Sequence, residues 1–174
     1  YDSVTICDNG WIALGLWRTS VTSAPAFPSP FYPNNVIGIL WSDLDPARTD
    51  TGGIYYQEFP DKFVVSYIRI PRFGDTPSYP KSSFQYILNF SRREIILQYL
   101  DINPWISPFY SGMIGWENSS GTVGIHIGTW SSGSTILRDN YAIRIRAGTI
   151  ISTPFFDNFT INEGIYEHDP VSGW

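Results

Sequence analysis

The sequence predicts an all-β protein, in the form of an antiparallel β-sandwich or jelly roll of about ten strands with an extra C-terminal strand segment. The 174-residue chain contains 22 Ile but only 8 Leu, 6 Ala and 2 Lys. Helices favour Ala, Leu and Lys, whereas strands favour the β-branched and aromatic residues that are abundant here. Short apolar or alternating segments recur roughly every 8–12 residues between turn signals, which is typical of sandwiches and jelly rolls.

The N-terminal segment predicts a hairpin followed by a long connection. Residues 4–7 and 11–17 are rich in β-forming residues, and they flank Asn9-Gly10, a pair that tolerates positive φ and favours a tight turn. Residues 19–35 contain four prolines, each of which removes a backbone donor from a strand ladder. This segment therefore predicts a long ordered loop or an extended edge crossing.

The remaining strands follow in order along the chain. Residues 36–41 are a continuous apolar run of strand length, which predicts a strand buried on both faces. Three further hairpins and a closing strand are predicted at residues 54–59 with 62–70, 83–91 with 94–101, 112–117 with 122–127, and at 141–146. Apolar and polar residues alternate most cleanly in residues 83–91 and 141–146, as expected of strands with distinct faces.

We expect two regions, a β-sandwich module at residues 1–147 and a C-terminal tail at 148–174. Gly148 and Pro154 set the tail apart, and the tail offers one more strand candidate, interpreted as a donor strand or a linker. Its apolar side chains are Phe155, Phe156, Phe159 and Ile161.

Composition argues against several classes of protein. The net charge is −5 with only 11 basic residues, which gives no electrostatic basis for binding nucleic acid. No run of 18 apolar residues occurs, so no membrane-spanning segment is expected. Cys7 is the single cysteine, so the chain cannot form an intrachain disulfide.

Candidate catalytic groups are few. His126 and His168 are the only histidines, and neither stands in a triad pattern or in ligand spacing for zinc. The five glutamates do not form the paired arrangement with which many β-sandwich enzymes cleave glycosidic bonds. We therefore expect no catalytic residues and no enzyme activity.

An acidic loop is a candidate calcium site. Asp43, Asp45 and Asp50 lie within eight residues and precede Gly52-Gly53, and carboxylate oxygens from a flexible loop suit calcium. The spacing does not match an EF-hand. The alternative is a turn in which aspartate side chains bond local backbone N–H groups, and no cofactor is then needed.

Two kinds of glycan-related position are also present. Asn89, Asn118 and Asn158 begin Asn-x-Ser/Thr sequences, which are acceptors if the source glycosylates asparagine. Trp105 and Trp130 are predicted to lie in loops, where an exposed indole would stack on a sugar. The alternative for both tryptophans is a core or loop-anchoring role.

Seven blocks of the sequence run in order at residues 1–15, 33–46, 52–56, 63–67, 83–88, 114–124 and 141–145. They include Asn9-Gly10-Trp11 in the first block and Leu44-Asp45-Pro46 at the end of the second. As an ordered set, these blocks resemble a nidogen-like extracellular β module found in large secreted bacterial and archaeal surface proteins. Ser42 stands where such modules usually have Asp, which weakens the calcium interpretation.

The resemblance implies an extracellular or cell-surface module that serves adhesion, display or assembly, alone or beside neighbouring domains of a larger surface protein. It also implies an apolar strand just before Tyr1, which this sequence lacks, while the tail offers an extra one. We therefore expect that the tail of one subunit completes the sheet of the next, and head-to-tail contacts of that kind form filaments. For the tail, the alternatives are that it folds back into its own sheet or links to another domain. For the function, the alternatives are a glycan-binding module that uses loop aromatics and an accessory domain of a secreted protease or other enzyme.

Overall fold

The computed structural model describes residues 1–15, 21–22, 26–102, 111–131 and 134–146. Its described residues contain ten strands and no helix. The strands are β1 (Val4–Cys7), β2 (Trp11–Leu14), β3 (Val36–Trp41), β4 (Gly53–Glu58), β5 (Lys62–Ile70), β6 (Ser82–Asn89), β7 (Glu94–Asp101), β8 (Ser111–Glu117), β9 (Gly124–Ser131) and β10 (Tyr141–Arg146).

The first of two compact units comprises Tyr1–Asp45, Arg72–Thr76 and Pro104–Ile136. Its described residues form a five-stranded antiparallel sheet in the order β1-β2-β3-β8-β9. β1 and β2 form the predicted hairpin, and Gly10 in its turn has φ +72°. A Cβ at Gly10 would overlap the carbonyl oxygen of Leu40, so the conformation and the available space both require glycine.

Two tryptophans of this sheet hold Val21, which lies in the connection between β2 and β3. The indole N–H groups of Trp11 in β2 and Trp41 in β3 both donate to the carbonyl oxygen of Val21, each at 3.0 Å. The two indole rings lie 5.3 Å apart between centroids. Both side chains are buried, so these hydrogen bonds satisfy polar N–H groups that would otherwise be costly inside the fold.

The ring of Phe27 packs directly on the backbone of the same sheet. Gly38 in β3 and Gly115 in β8 are cross-strand partners, and a Cβ at either position would come within 3.1 Å or 2.7 Å of that ring. Phe27 also meets Trp41 edge to face, with ring centroids 5.8 Å apart. The glycine pair therefore provides the space in which Phe27 packs on the sheet. We call residues 26–35 the proline-rich loop.

The second compact unit comprises Pro46–Pro71, Pro77–Asn103 and Leu137–Trp174. Its sheet has the order β10-β7-β6-β5-β4, with every pair antiparallel. One face is aromatic, and the rings of Tyr67 and Phe84 stack at 4.8 Å between centroids. Both side chains are fully buried, so these two aromatic rings serve to pack the core.

The opposite face of the second sheet carries a buried polar row. The hydroxyl of Ser66 donates to Gln85 at 3.3 Å, and the amide nitrogen of Gln85 donates in turn to the side-chain oxygen of Gln98. All three residues are buried. Because they bond to one another across β5, β6 and β7, their polar groups are satisfied without solvent.

The strand content confirms the predicted all-β class, and two antiparallel sheets are consistent with a β-sandwich. All six residues of Val36–Trp41 are buried, as the apolar run predicted. The position predicted for Trp130 was wrong, because β9 extends to Ser131 and includes this residue. Within the described ranges, no helix has the length and hydropathy needed to cross a membrane.

Candidate interaction surface

One end of the first sheet is held together by Asn35, the residue before β3. Its backbone N–H donates to the carbonyl oxygen of Asn118 at 3.0 Å, and its own carbonyl accepts from the N–H of Leu14 at 3.1 Å. The Asn35 side-chain amide also donates to the Leu14 carbonyl at 2.6 Å. Asn35 has φ +62°, a conformation that asparagine tolerates better than most residues. The proline-rich loop is thus tied to the ends of β2 and β8.

A buried carboxylate holds the same loop at a second point. Oε2 of Glu117, the last residue of β8, accepts the backbone N–H of Ser29 at 2.7 Å. Both residues are buried. Burial raises the pKa of the Glu117 carboxyl, and the hydrogen bond from Ser29 opposes that rise only in part. With its nitrogen facing the loop, the Asn34 side-chain amide donates to the carbonyl oxygens of Ser29 and Phe31 at 3.1 and 2.9 Å.

The turn between β8 and β9 completes this end of the sheet. The Asn118 side-chain oxygen accepts the backbone N–H groups of Thr122 and Val123 at 3.0 and 3.1 Å. Gly121 has φ +63°, and a Cβ there would overlap the carbonyl oxygen of Ser29. The turn and the loop therefore fit closely, and a larger residue at position 121 would separate them.

The end of the first sheet that carries Asn35 and the β8–β9 turn presents apolar side chains to solvent. Phe31 is 71% exposed, Tyr32 56% and Val123 59%, and Tyr1, three residues before β1, is 82% exposed. They make up four of the seven exposed large hydrophobic side chains among the described residues. The register of β1 with β2 and the loop contacts above place all four at the same end of the sheet. We call Tyr1, Phe31, Tyr32 and Val123 the aromatic end.

The structure does not bring the three carboxylates of the predicted calcium site together. Asp50 instead forms ion pairs with Lys81 at 2.9 Å and Arg48 at 2.8 Å. The hydrogen bond from Lys81, followed by that from Arg48, lowers the pKa of Asp50. In the ranges that the structure describes, which include Asp43 and Asp45, no group of three or more His, Cys, Asp or Glu residues is placed to hold a metal ion. Basic side chains therefore organise this loop.

Of the two predicted sugar-stacking tryptophans, Trp130 is not available as expected. It lies in β9 rather than in a loop, and it is only 4% exposed. A buried indole offers no face on which a sugar ring could stack. Trp105 lies outside the described residues.

The two described Asn-x-Ser sequences lie where strands lead into turns, with Asn89 at the end of β6 and Asn118 directly after β8. The Asn89 side-chain oxygen accepts from the Ser91 hydroxyl and the Arg92 N–H at 3.0 and 2.9 Å. That of Asn118 accepts from the Ser120 hydroxyl at 3.2 Å, in addition to the two N–H groups named above. Both asparagines thus have a structural role, and their glycosylation stays a prediction. Asn158 lies outside the described residues.

The remaining sequence candidates have ordinary environments or lie beyond the described ranges. Burial raises the pKa of the Cys7 thiol to about 12, so the group is protonated near neutral pH and is a poor nucleophile. His126 is exposed on β9 and lies 3.2 Å from the Thr129 hydroxyl. The predicted assembly strand, with Phe155, Phe156, Phe159 and Ile161, falls outside the described residues.

Sequence reasoning did not single out the aromatic end. One signal was present, since Phe31 and Tyr32 stand between Pro30 and Pro33 in a segment that had to be a loop. What the sequence alone did not give was their exposure and their position at the same end of the sheet as Val123. No protein-family model, curated protein or solved structure matches this chain. The resemblance to a nidogen-like module stays a prediction, and function is argued below from the surface itself.

Proposed function

We propose that the chain is a non-catalytic extracellular β module that acts by surface interaction or assembly, with the aromatic end as its contact surface. The observation that carries this proposal is the exposure of Phe31, Tyr32 and Val123 in segments held by hydrogen bonds, with the exposed Tyr1 at the same end of the sheet. Exposed apolar side chains that gather at one place commonly mark interaction sites. The extracellular location in this proposal comes from the resemblance to secreted modules.

The way the loops are held favours binding. Ser29 is fixed by Glu117, and Asn35 is fixed by Asn118, on either side of the exposed Phe31 and Tyr32. Because the backbone of these segments is already ordered, they lose little conformational entropy when a partner covers the rings. Burial of each ring contributes about 1.5–3 kcal/mol, so two rings are enough to dominate a small interface.

Replacing the two loop rings tests this proposal. We expect the double variant Phe31→Ser and Tyr32→Ser to weaken self-association, measured by sedimentation velocity over a concentration series. Phe90→Ser is the matched control, since Phe90 is also an exposed aromatic residue in a turn but belongs to the second unit. If the double variant, the control and the parent chain self-associate equally strongly, the aromatic end is not an assembly surface.

In its more specific form, the proposal is a filament subunit joined by strand exchange. Within the described residues, β1, β9, β4 and β10 are the edge strands of the two sheets. An edge strand is a template to which a strand from another chain can add. The donor would be the tail strand that contains Phe155, Phe156, Phe159 and Ile161. Negative-stain electron microscopy of the full chain and of a chain lacking residues 149–174 tests this form, and filaments that survive the deletion would rule out the tail as donor.

A second candidate is glycan binding, favoured by the exposed rings of Tyr1, Phe31 and Tyr32 at one end of a sheet. In this candidate, sugars stack on these three rings instead of on Trp130. Glycan-array binding by the parent chain that is lost in the Phe31→Ser and Tyr32→Ser variant, but kept in Phe90→Ser, supports this candidate. An array with no bound glycan contradicts it.

A further inference from the structure

The four edge strands of the described structure differ in charge. β1 is flanked by Asp2 and Asp8, and β4 ends with Glu58 before Asp61 in the turn. β9 contains no Lys, Arg, Asp or Glu. Only β10 has a basic surrounding, because residues 138–146 contain three arginines and one aspartate, which gives +2. The protein as a whole has a net charge of −5, so the positive charge around β10 is opposite in sign to that of the whole chain.

The positive charge extends from β10 onto the start of β7. Oε2 of the buried Glu94 pairs with Nε of Arg146 at 2.9 Å and lies 3.5 Å from Nε of Arg144. A guanidinium nitrogen of Arg92 lies 3.9 Å from the other carboxylate oxygen. One carboxylate thus faces three arginines. Arg92 and Arg146 keep 67% and 43% of their side chains exposed, so part of this excess charge is open to solvent.

Arg138 carries the positive charge to the opposite end of the strand. Its guanidinium lies over the ring of Tyr141, the first residue of β10, at 5.2 Å from the centroid. We call Arg92, Arg138, Arg144 and Arg146 the arginine edge. With Glu94 and Asp139 counted, four positive and two negative groups leave it with +2.

The tail has the complementary charge. Residues 147–174 contain four acidic residues and no Lys or Arg, whereas residues 1–146 contain 12 acidic and 11 basic residues. The tail therefore carries −4 of the net −5. Its acidic residues are Asp157, Glu163, Glu167 and Asp169. Opposite charges of this size steer association and fix which surfaces meet.

We infer that the acidic tail of one copy of this chain docks on the arginine edge of a second copy, so that β10 is the strand that receives the donor strand. The inference rests on the proposed assembly function and adds the receiving site among four candidate edges. It also predicts that assembly weakens as salt is added, because partly exposed charges are screened.

The position of the acidic residues allows them to reach a second copy. Residues 147–156 contain no charged side chain and follow directly after Arg146. Ten residues can span at most roughly 33 Å. The mixing experiment below distinguishes a second copy from the tail's own edge, because only docking between copies lets one variant restore the association of the other.

Charge exchange in the full chain tests the inference. The first variant reverses the edge with Arg92→Glu and Arg138→Glu, which spares the two arginines nearest the buried Glu94. The second variant reverses the tail with Asp157→Lys and Glu163→Lys. We expect each variant alone to self-associate about tenfold more weakly than the parent chain by sedimentation velocity, because like charges then meet. An equimolar mixture of the two should recover the parent's association, since each variant then finds an opposite charge on the other.

The outcomes separate this inference from the proposed function. Association in the mixture no stronger than in the separate variants overturns it, and so does a parent chain that stays monomeric. If Phe31→Ser with Tyr32→Ser abolishes association while neither charge variant changes it, the docking inference fails and the aromatic end stands. If the edge variant does not fold, Arg92→Gln with Arg138→Gln serves in its place, and association at parental strength then counts against the arginine edge.

Discussion

The buried hydrogen bond between Glu117 and Ser29 gives a prediction whose size follows from the structure. In Glu117→Ala the backbone N–H of Ser29 loses its acceptor at 2.7 Å while it stays buried. An unsatisfied buried donor costs about 1–3 kcal/mol. We therefore expect this variant to lower the free energy of unfolding by about 2 kcal/mol.

Glu117→Gln is the matched control, because its side-chain oxygen can still accept the Ser29 N–H. We expect it to be as stable as the parent chain near neutral pH, or more stable, since it does not bury a charge. Urea unfolding of the three chains measures the differences. If Glu117→Gln loses as much stability as Glu117→Ala, the charge rather than the acceptor holds the loop, and the reasoning is refuted.

The pH dependence of the same pair has a definite sign. Because burial raises the pKa of Glu117 above its usual value of 4.5, the folded chain binds this proton more tightly than the unfolded chain does. The resulting stability is fully present below pH 4.5 and is lost as the pH rises through the folded pKa. The advantage of Glu117→Gln over the parent chain should therefore emerge above pH 4.5, and a difference that is the same at every pH would contradict this assignment.

Further predictions follow from single contacts. Phe27→Ala should lower the free energy of unfolding by about 3–5 kcal/mol in urea, because it empties the space over the glycine pair; a loss below 1 kcal/mol would contradict that packing. Gly121→Ala should destabilise the chain by at least about 1–3 kcal/mol in the same assay, whereas Gly74→Ala, which also has positive φ but open space, should cost less. Cys7 should react with a thiol reagent at pH 8 on the order of a thousandfold more slowly than a free cysteine, and rapid labelling of the folded chain would refute its burial. Calcium should leave the melting temperature unchanged because Asp50 is paired with Arg48 and Lys81, and a rise in that temperature would restore the calcium interpretation.

Much of the fold could be predicted because its signals are local. The Asn9-Gly10 turn, the apolar run of β3 and the alternating pattern of residues 83–91 each depend on neighbouring residues. The structure confirms the turn, the buried strand β3 and a strand, β6, at the alternating segment. Features set by distant residues were missed or misplaced. β9 reaches Ser131 because it pairs along its length with β8, where Ser111 is the partner of Ser131, and the strand therefore includes the buried Trp130. No local pattern reports such a partner.

The candidate site was missed for the same physical reason, because the exposure of a ring depends on what covers it. Asp50 has the local sequence of a metal ligand, but it pairs with Lys81, which lies 31 residues further along the chain. Phe27 and Phe31 both look like ordinary loop aromatics in the sequence, yet one is buried and the other is 71% exposed. Phe27 is buried because it packs over Gly38 and Gly115 of the sheet.

The proline-rich loop therefore combines two tasks within a few residues. Phe27 seats the loop on the sheet, Glu117 fixes Ser29, and Phe31 and Tyr32 are then held outward on ordered backbone. If the aromatic end is the contact surface, Glu117→Ala should weaken association although both rings remain, because a loosened loop must be ordered again when it binds. Glu117→Gln should not, since the acceptor is kept. Loss of association in Glu117→Ala alone would tie the stability of the loop to its function, whereas unchanged association in both variants would show that the contact does not depend on how firmly this loop is held.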